Sequence, residues 1–211
     1  MNICFFEDKK TENFYPLCYF RPVSWLRLGA FSIQEKVRKY FKPQNIYHLT
    51  RPYLKNYFDL PEPVEGLEFL FINSRIKPFH ENLQKLEHTT DILYLEDGSL
   101  GAYKGNYIEF LKMLDSNSSE KDGGNLSAFN YTWDFLYDNE AMLEEDFNYY
   151  YKSNIPSNLP AWFYKIKEEN IYLHPSVMIE PGVVLDASEG PVILEQNVKV
   201  MANAVIKGPV Y

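Results

Sequence analysis

The stretch IYLHPSVMIEPGVVLDASEGPVILEQNVKVMANAVIKGPVY, residues 171–211, decides the fold of the C-terminal part of the chain. Aliphatic residues recur in it every six positions, in two runs separated by a three-residue insertion: Leu173, Ile179 and Leu185, then Leu194, Val200 and Ile206. This period fits neither an α-helix nor a plain strand. It is typical of a parallel β-helix, in which each hexapeptide forms one flat face. A pair of ordinary β-hairpins is the alternative.

Two further features of the repeat favour a β-helix. A small or β-branched residue follows each repeat position by four residues, except where Glu189 begins the insertion: Val177, Val183, Val198, Ala204 and Val210. Glycine or asparagine stands where the chain must turn a corner, and both tolerate positive φ. These corner residues are Gly182, Asn197, Asn203 and Gly208.

The rest of the chain alternates predicted strands and helices. Strands are predicted at 1–6, 45–49 and 68–72, and helices at about 31–41, 105–114 and 131–151. Asp97-Gly98 between two apolar runs predicts a hairpin, and residues 115–127 read as a loop. This order is typical of an α/β fold with a mostly parallel, Rossmann-like sheet. We therefore divide the chain into an α/β domain at 1–151, a linker at 152–170 and a β-helix at 171–211.

Bulk composition narrows the class of partner. A net charge of −8 argues against a general nucleic-acid binder, which needs a basic surface to neutralise phosphates. The sequence shows no signal peptide, and no apolar run approaches the length of a membrane span. Cys4 and Cys18 show no metal-binding spacing, so we interpret both as buried small hydrophobes. These observations predict a cytoplasmic protein that binds no membrane.

The loop after the first strand is the place to look for a ligand. Ligands of parallel α/β sheets bind at the carboxyl ends of the strands. This loop holds Glu7, Asp8, Arg21 and Arg27, and an arginine can grip a phosphate through its planar fork. The alternative is that both arginines are solvated loop residues and Asp8 is a turn or cap residue.

Several short segments, together with the hexapeptides, carry a resemblance to a known family. They are Phe6-Glu7-Asp8, Pro16-Leu17, Arg21-Pro22, Leu26-Arg27-Leu28-Gly29, Glu35-Lys36, Ile72-Asn73-Ser74-Arg75 and Trp133-Asp134. The chain resembles the bifunctional N-acetylglucosamine-1-phosphate uridylyltransferase/glucosamine-1-phosphate acetyltransferase family. Within it, the chain looks like a divergent bacterial branch of sugar nucleotidyltransferases. The resemblance spans almost the whole chain and implies a nucleotidyltransferase-type α/β domain followed by a left-handed β-helix.

The resemblance implies a reaction and a set of residues for it. The reaction is transfer of a nucleotidyl group from a nucleoside triphosphate to a sugar 1-phosphate, with Mg²⁺ and release of pyrophosphate. Catalytic roles are expected for Arg21, Arg27 and Lys36, where Lys36 holds the sugar phosphate. Substrate-binding roles are expected for the set Glu7, Asp8, Asn73, Arg75 and Asp134, and Asp8 is also the expected metal ligand. Asp134 has two further readings, as a helix cap or as a residue that orients the helix.

Three departures from the family pattern keep other functions open. The first glycine is Gly29, so the usual Gly-rich phosphate loop is missing. Val23 stands at the family's lysine position, and Asn73 stands where the family has a metal-binding aspartate. The alternative is therefore a non-catalytic relative that binds a nucleotide sugar or serves as a scaffold. A β-helix acyltransferase is a third possibility, but its active coils are expected further along than Tyr211.

The six repeat positions make about two triangular coils before the chain ends at Tyr211. We expect this chain to be shorter than its relatives and its β-helix to be incomplete. An uncovered last coil favours self-association, so a homo-oligomer is expected.

Overall fold

The computed structural model describes residues 1–55, 58, 61–90, 92–115, 124–155 and 161–211. These residues divide into two compact units. The first consists of Met1–Arg27 and Phe31–Phe135, and the second of Leu28–Ala30 and Leu136–Tyr211. The sequence pattern placed the end of the α/β domain later, after residue 151. Most of the loop predicted at 115–127 lies outside the described residues.

A five-stranded mixed sheet forms the centre of the first unit. The strands of the N-terminal part are β1 Asn2–Phe6, β2 Arg27–Leu28, β3 Phe31–Ser32, β4 Asn45–Leu49, β5 Glu68–Asn73, β6 Ile92–Tyr94 and β7 Leu100–Asn106. The large sheet has the order β4-β1-β5-β7-β6. β4, β1 and β5 are parallel, whereas β7 is antiparallel to β5 and β6. The expected parallel order therefore holds for three strands. The Asp97-Gly98 hairpin joins the other two, and a short turn can only connect antiparallel strands.

Five α-helices are present among the described residues. They are α1 Ile33–Phe41, α2 Pro52–Lys55, α3 His80–Glu87, α4 Tyr107–Asp115 and α5 Asp134–Asp146. α5 continues as a π-helical turn over Phe147–Tyr151, which completes the helical stretch predicted at 131–151. α2 and α3 were not predicted from the sequence. Among these helices, none has the length and apolar character needed to cross a bilayer.

Aromatic packing fixes the strands that carry the site. All five residues of β1 and five of the six residues of β5 are buried, as expected for strands covered on both faces. Phe71 of β5 stacks on Phe110 of α4, with ring centroids 4.0 Å apart and planes nearly parallel. Phe6 packs edge-on against the same Phe110 ring. The end of β1 is therefore held rigidly beside the end of β5.

Parallel ladders of short strands build the C-terminal part of the second unit. The strands are β8 Tyr164–Ile166, β9 Ile171–Leu173, β10 Met178–Ile179, β11 Val184–Asp186, β12 Val192–Leu194, β13 Lys199–Val200 and β14 Val205–Lys207. They pair in the orders β14-β11-β8, β12-β9 and β10-β13, and all the pairs are parallel. β8 lies within the segment 152–170 that the sequence pattern assigned to the linker.

The six-residue repeat sets the register of these ladders. Leu173 pairs with Leu194, Ile179 with Val200 and Leu185 with Ile206, so each partner lies 21 residues further along the chain. All six repeat residues, and the five residues that follow them by four, belong to one apolar cluster. Both sets therefore contribute to the same apolar core. The ladders are only two or three residues long, and the left-handed β-helix stays a prediction.

The predicted corners require glycine or asparagine for two different reasons. Gly182, Asn197 and Asn203 adopt φ values of 77°, 65° and 63°, in the left-handed region. Gly208 does not need positive φ. A side chain at Gly208 would collide with the backbone oxygen of Gly190, so a close approach of two chain segments requires glycine there.

Candidate functional site

Acidic and basic side chains gather where the three parallel strands end. Glu7 and Asp8 follow β1 directly, Arg51 lies two residues after β4, and Arg75 lies two residues after β5. β1 has β4 on one side and β5 on the other, so chain connections diverge at this edge. Such a switch point is where parallel α/β sheets bind ligands. The sequence predicted Glu7, Asp8, Asn73 and Arg75 as site residues at this edge, but not Arg51.

Asp8 and Arg75 form a forked ion pair. Arg75 Nη2 lies 2.7 Å from Asp8 Oδ2, and Arg75 Nε lies 3.0 Å from both carboxylate oxygens. The Arg75 side chain has no exposed surface, and that of Asp8 is 22% exposed. Charged bonds in this two-pronged geometry are among the strongest that proteins form. The pair is thus a fixed part of the site.

Every N–H group of the Arg75 guanidinium has an acceptor. Besides Asp8, Nη1 donates to the backbone oxygen of Phe129 at 2.9 Å and to Asn130 Oδ1 at 3.0 Å. Nη2 also donates to Asp97 Oδ2 at 3.1 Å. A buried charge is tolerated only when it is paired and hydrogen-bonded to this extent. Arg75, expected to bind substrate, is instead enclosed by protein groups.

The side-chain amide of Asn73 completes the surroundings of Asp8. Its Nδ2 donates to Asp8 Oδ2 and to the backbone oxygen of Leu100, both at 2.9 Å, and its Oδ1 accepts from the Arg75 backbone N–H at 3.0 Å. A carboxylate in this position would have no hydrogen to offer to either oxygen. The amide therefore matches a network in which the Asp8 carboxylate is already paired with Arg75.

Asp97 brings a second carboxylate from the β6–β7 hairpin to Arg75. Its Oδ1 accepts from the Ser99 backbone N–H at 2.9 Å, and its Oδ2 lies 2.8 Å from Lys10 Nζ. Burial alone would raise the pKa of Asp97. The hydrogen bonds from Lys10 and Ser99, with the charge of Arg75, outweigh burial and hold this pKa well below its usual range. Asp97 is therefore ionised at neutral pH.

Glu7 and Arg51 fasten the loop that follows β1. Glu7 Oε1 accepts from the Val23 backbone N–H at 2.9 Å, and Glu7 Oε2 lies 3.0 Å from Arg51 Nε. Arg51 Nη2 donates to the backbone oxygen of Arg21 at 2.9 Å. Burial alone would lower the pKa of Arg51, but the charge and hydrogen bonds of Glu7 raise it. The pair holds residues 21–23 at the strand ends.

The three residues expected to be catalytic lie in different surroundings. Arg21 is exposed, and among the described residues no hydrogen bond or ion pair of its side chain is present. Arg27 lies 3.5 Å from Glu35 in an ion pair and lines a cavity of about 280 Å³ with Trp25. Lys36 is 1% exposed on α1. Only Arg21 is both exposed and held at the strand ends by its backbone.

Asp134 closes a turn before α5. Its Oδ2 accepts from the backbone N–H groups of Asn130 and Tyr131, at 2.7 and 2.9 Å. These bonds stabilise the turn that precedes α5, and the substrate-binding role of Asp134 stays a prediction. Through the turn Asp134 positions Asn130, whose side chain binds Arg75.

Asp8 does not offer a place for Mg²⁺ in this arrangement. A carboxylate has about four lone-pair positions. The backbone N–H of Lys10 and donors of Asn73 and Arg75 fill those of Asp8. Within the described ranges, no group of three or more His, Cys, Asp and Glu side chains could hold a metal ion. Oxygen ligands of the kind Mg²⁺ prefers are thus already committed to protein donors.

A model of the family described as sugar nucleotidyl transferase matches residues 3–154. The chain belongs to this family. The match runs from β1 through α5 and includes every residue of the strand-end site. The match ends before β8, so the parallel ladders of β8–β14 lie outside the matched region. A search of curated proteins matches nothing. The likeness to the bifunctional uridylyltransferase/acetyltransferase type in particular stays a prediction.

Sequence reasoning missed four residues that contribute side chains to the site: Lys10, Arg51, Asp97 and Asn130. Arg51 could have been found, because it follows the predicted strand 45–49 and must lie at the same edge as Asp8. Asp97 was interpreted only as a turn residue. Its contact with Arg75 depends on the antiparallel placement of β6 and β7, which a mostly parallel interpretation does not give.

Proposed function

We propose that this chain is a sugar-1-phosphate nucleotidyltransferase that binds its nucleotide at the carboxyl ends of β1 and β5. The substrates are a nucleoside triphosphate and a sugar phosphate. In the reaction a phosphate oxygen of the sugar phosphate forms a bond to the α-phosphorus, the bond from that phosphorus to the β-phosphate oxygen breaks, and pyrophosphate leaves. The family match and the position of the charged site at the switch point support this proposal.

Arg21 is the residue we assign to the substrate phosphates. Its backbone oxygen is held by Arg51, which is in turn bound to Glu7, so the loop is ordered before a ligand arrives. Its guanidinium is exposed and can offer a planar fork to a phosphate. An ordered loop with an exposed cation supplies positioning and charge, the two contributions that phosphoryl-group transfer needs most.

The test is release of pyrophosphate from UTP or dTTP with a panel of sugar 1-phosphates. R21M should lower the rate by about tenfold or more, since a charged hydrogen bond to substrate contributes about 1.5–3 kcal/mol. R38M is the matched control, because Arg38 is exposed on α1 and belongs to no part of the site. No release from wild type with any pair, and no thermal shift with either nucleotide, would contradict the proposal.

A non-catalytic relative that binds a nucleotide sugar is the second candidate. The hydrogen bonds from Arg75 and Asn73 to Asp8 favour it, because they leave the Asp8 carboxylate unavailable to a metal ion. It predicts a thermal shift with UDP-sugars or dTDP-sugars and no pyrophosphate release. R21M should remove that shift as well.

We further propose that β8–β14 form a left-handed β-helix through which the protein forms a homo-oligomer in the cytoplasm. The 21-residue spacing of paired strands supports the coil. Exposed apolar residues on the short strands, Met178 and Val205 among them, support association. Light scattering after size-exclusion chromatography should give a multiple of the chain mass of 24.9 kDa, and a monomer at high concentration would contradict it.

A further inference from the structure

The charges at the ends of β1 and β5 balance without a metal ion. Asp8 and Asp97 contribute two negative charges, and Arg75 and Lys10 contribute two positive ones. We infer that the Arg75 guanidinium takes the position of a cation between Asp8 and Asp97, so that this chain binds no divalent ion on Asp8. This arrangement lies in the site of the proposed function. Its effect on metal binding does not require a nucleotide, and only its effect on nucleotide binding rests on that function.

The geometry around one nitrogen carries this inference. Arg75 Nη2 lies 2.7 Å from Asp8 Oδ2 and 3.1 Å from Asp97 Oδ2, so both carboxylates point at the same atom. Two carboxylates that converge on one point offer oxygen ligands of the kind that bind a divalent cation. Here the cation is part of the chain.

A divalent ion would have to displace the guanidinium to reach Asp8. Arg75 is fully buried, and the displaced group would lose the Phe129 and Asn130 acceptors together with both carboxylates. The Asn73 amide would also have to turn, because its N–H points at Asp8 Oδ2. A guanidinium keeps its charge at every physiological pH. Unlike a bound metal ion, it cannot be removed by a chelator.

The inference predicts the outcome of removing the guanidinium. R75M keeps a side chain of similar length without charge, and it leaves Asp8 and Asp97 facing each other. Loss of the free Mn²⁺ signal in electron paramagnetic resonance measures binding to the full-length chain. Wild type and D8N should bind Mn²⁺ equally weakly. R75M should gain one site per chain, with affinity raised by about tenfold or more, and R75M/D8N should lose that gain.

R51M is the matched control, because it removes the other guanidinium at the strand ends and leaves the Arg75 pair intact. It should gain no Mn²⁺ site that depends on Asp8. Circular dichroism checks that each variant folds. If R75M does not fold, wild type and D8N decide the matter. Mn²⁺ bound by wild type and lost in D8N overturns the inference, and equal binding supports it. A folded R75M with no added Mn²⁺ binding also overturns it.

UTP binding is measured on the same samples by calorimetry, which separates this inference from the proposed function. Wild type that binds no UTP contradicts the proposed function and leaves the Mn²⁺ comparison unaffected. Wild type that binds UTP while Mn²⁺ binding depends on Asp8 supports the function and overturns the role given to Arg75.

Discussion

At the scale of single residues, the site is governed by which atoms donate and which accept. Asp8 and Asp97 can only accept, Arg75 can only donate, and Asn73 does both. The pattern of bonds among them leaves no donor of the guanidinium unused. Because the Asn73 amide can donate a hydrogen bond, it is compatible with the neighbouring Asp8 carboxylate.

The first prediction concerns N73D, which places at residue 73 the carboxylate that the resemblance leads us to expect there. If Asn73 were only a lost metal ligand, N73D would create a Mg²⁺ site at no cost. We expect instead that N73D lowers the free energy of unfolding by about 2–4 kcal/mol, because a second carboxylate would face Asp8 Oδ2 and the Leu100 oxygen without a hydrogen. Urea denaturation measures the change.

Q44E is the control for N73D, since Gln44 is exposed just before β4 and its side-chain amide makes no hydrogen bond among the described residues. It should change the free energy of unfolding by less than about 0.5 kcal/mol. An N73D variant as stable as wild type in the absence of metal would contradict the hydrogen-bond assignment.

The second prediction concerns acid sensitivity. The pKa of Asp97 is lower in the folded protein than the value near 3.9 expected when unfolded, so its stabilising effect is complete above about pH 5 and is lost as the pH falls below that range. D97N should be less stable than wild type by about 1–3 kcal/mol at pH 7, and the difference should shrink toward pH 2. Urea denaturation monitored at several pH values gives both curves.

E96Q, at the exposed neighbouring position, is the control and should follow wild type throughout. Curves for wild type and D97N that stay parallel from pH 7 to pH 2 would show that Asp97 does not carry this pH dependence.

At the scale of elements, local signals fixed some boundaries and tertiary contacts fixed others. β4 was predicted at its observed bounds, because its apolar alternation is interrupted on both sides. α1 begins with a capping box, in which Ser32 Oγ accepts from the Glu35 backbone N–H and Glu35 Oε2 accepts from the Ser32 backbone N–H. α3 has only eight residues and no side-chain cap at its start, so no local signal marked it.

The third prediction follows from the capping box of α1. S32A should lower the free energy of unfolding by about 1 kcal/mol, because one N–H at the start of the helix loses its acceptor. Thermal and urea denaturation measure this loss. T90A, at an exposed threonine outside any helix or strand, should leave stability within about 0.5 kcal/mol of wild type. Equal losses in the two variants would contradict a capping role.

At the scale of the whole molecule, the six-residue repeat and the α/β class could be predicted from the sequence, whereas the chemistry of the site could not. The six-residue period located the residues that form the C-terminal apolar cluster, since equivalent residues of the repeat pair in the parallel ladders. The strand-end location of the site followed from parallel topology. The partners of Arg75 could not be predicted, because they come from residues 8, 97, 129 and 130, which are joined only by the fold.

The most direct test is a crystal structure of the chain with UTP and Mn²⁺. An anomalous difference map locates the metal and shows whether Arg75 stays on Asp8 when the nucleotide binds. We predict UTP phosphates beside Arg21 at the carboxyl ends of β1 and β5, with Arg75 still on Asp8. No Mn²⁺ peak should lie within about 2.5 Å of the Asp8 oxygens, the limit for a ligand bond. A Mn²⁺ ion bound to Asp8 with Arg75 displaced, or UTP bound away from these strand ends, would contradict this prediction.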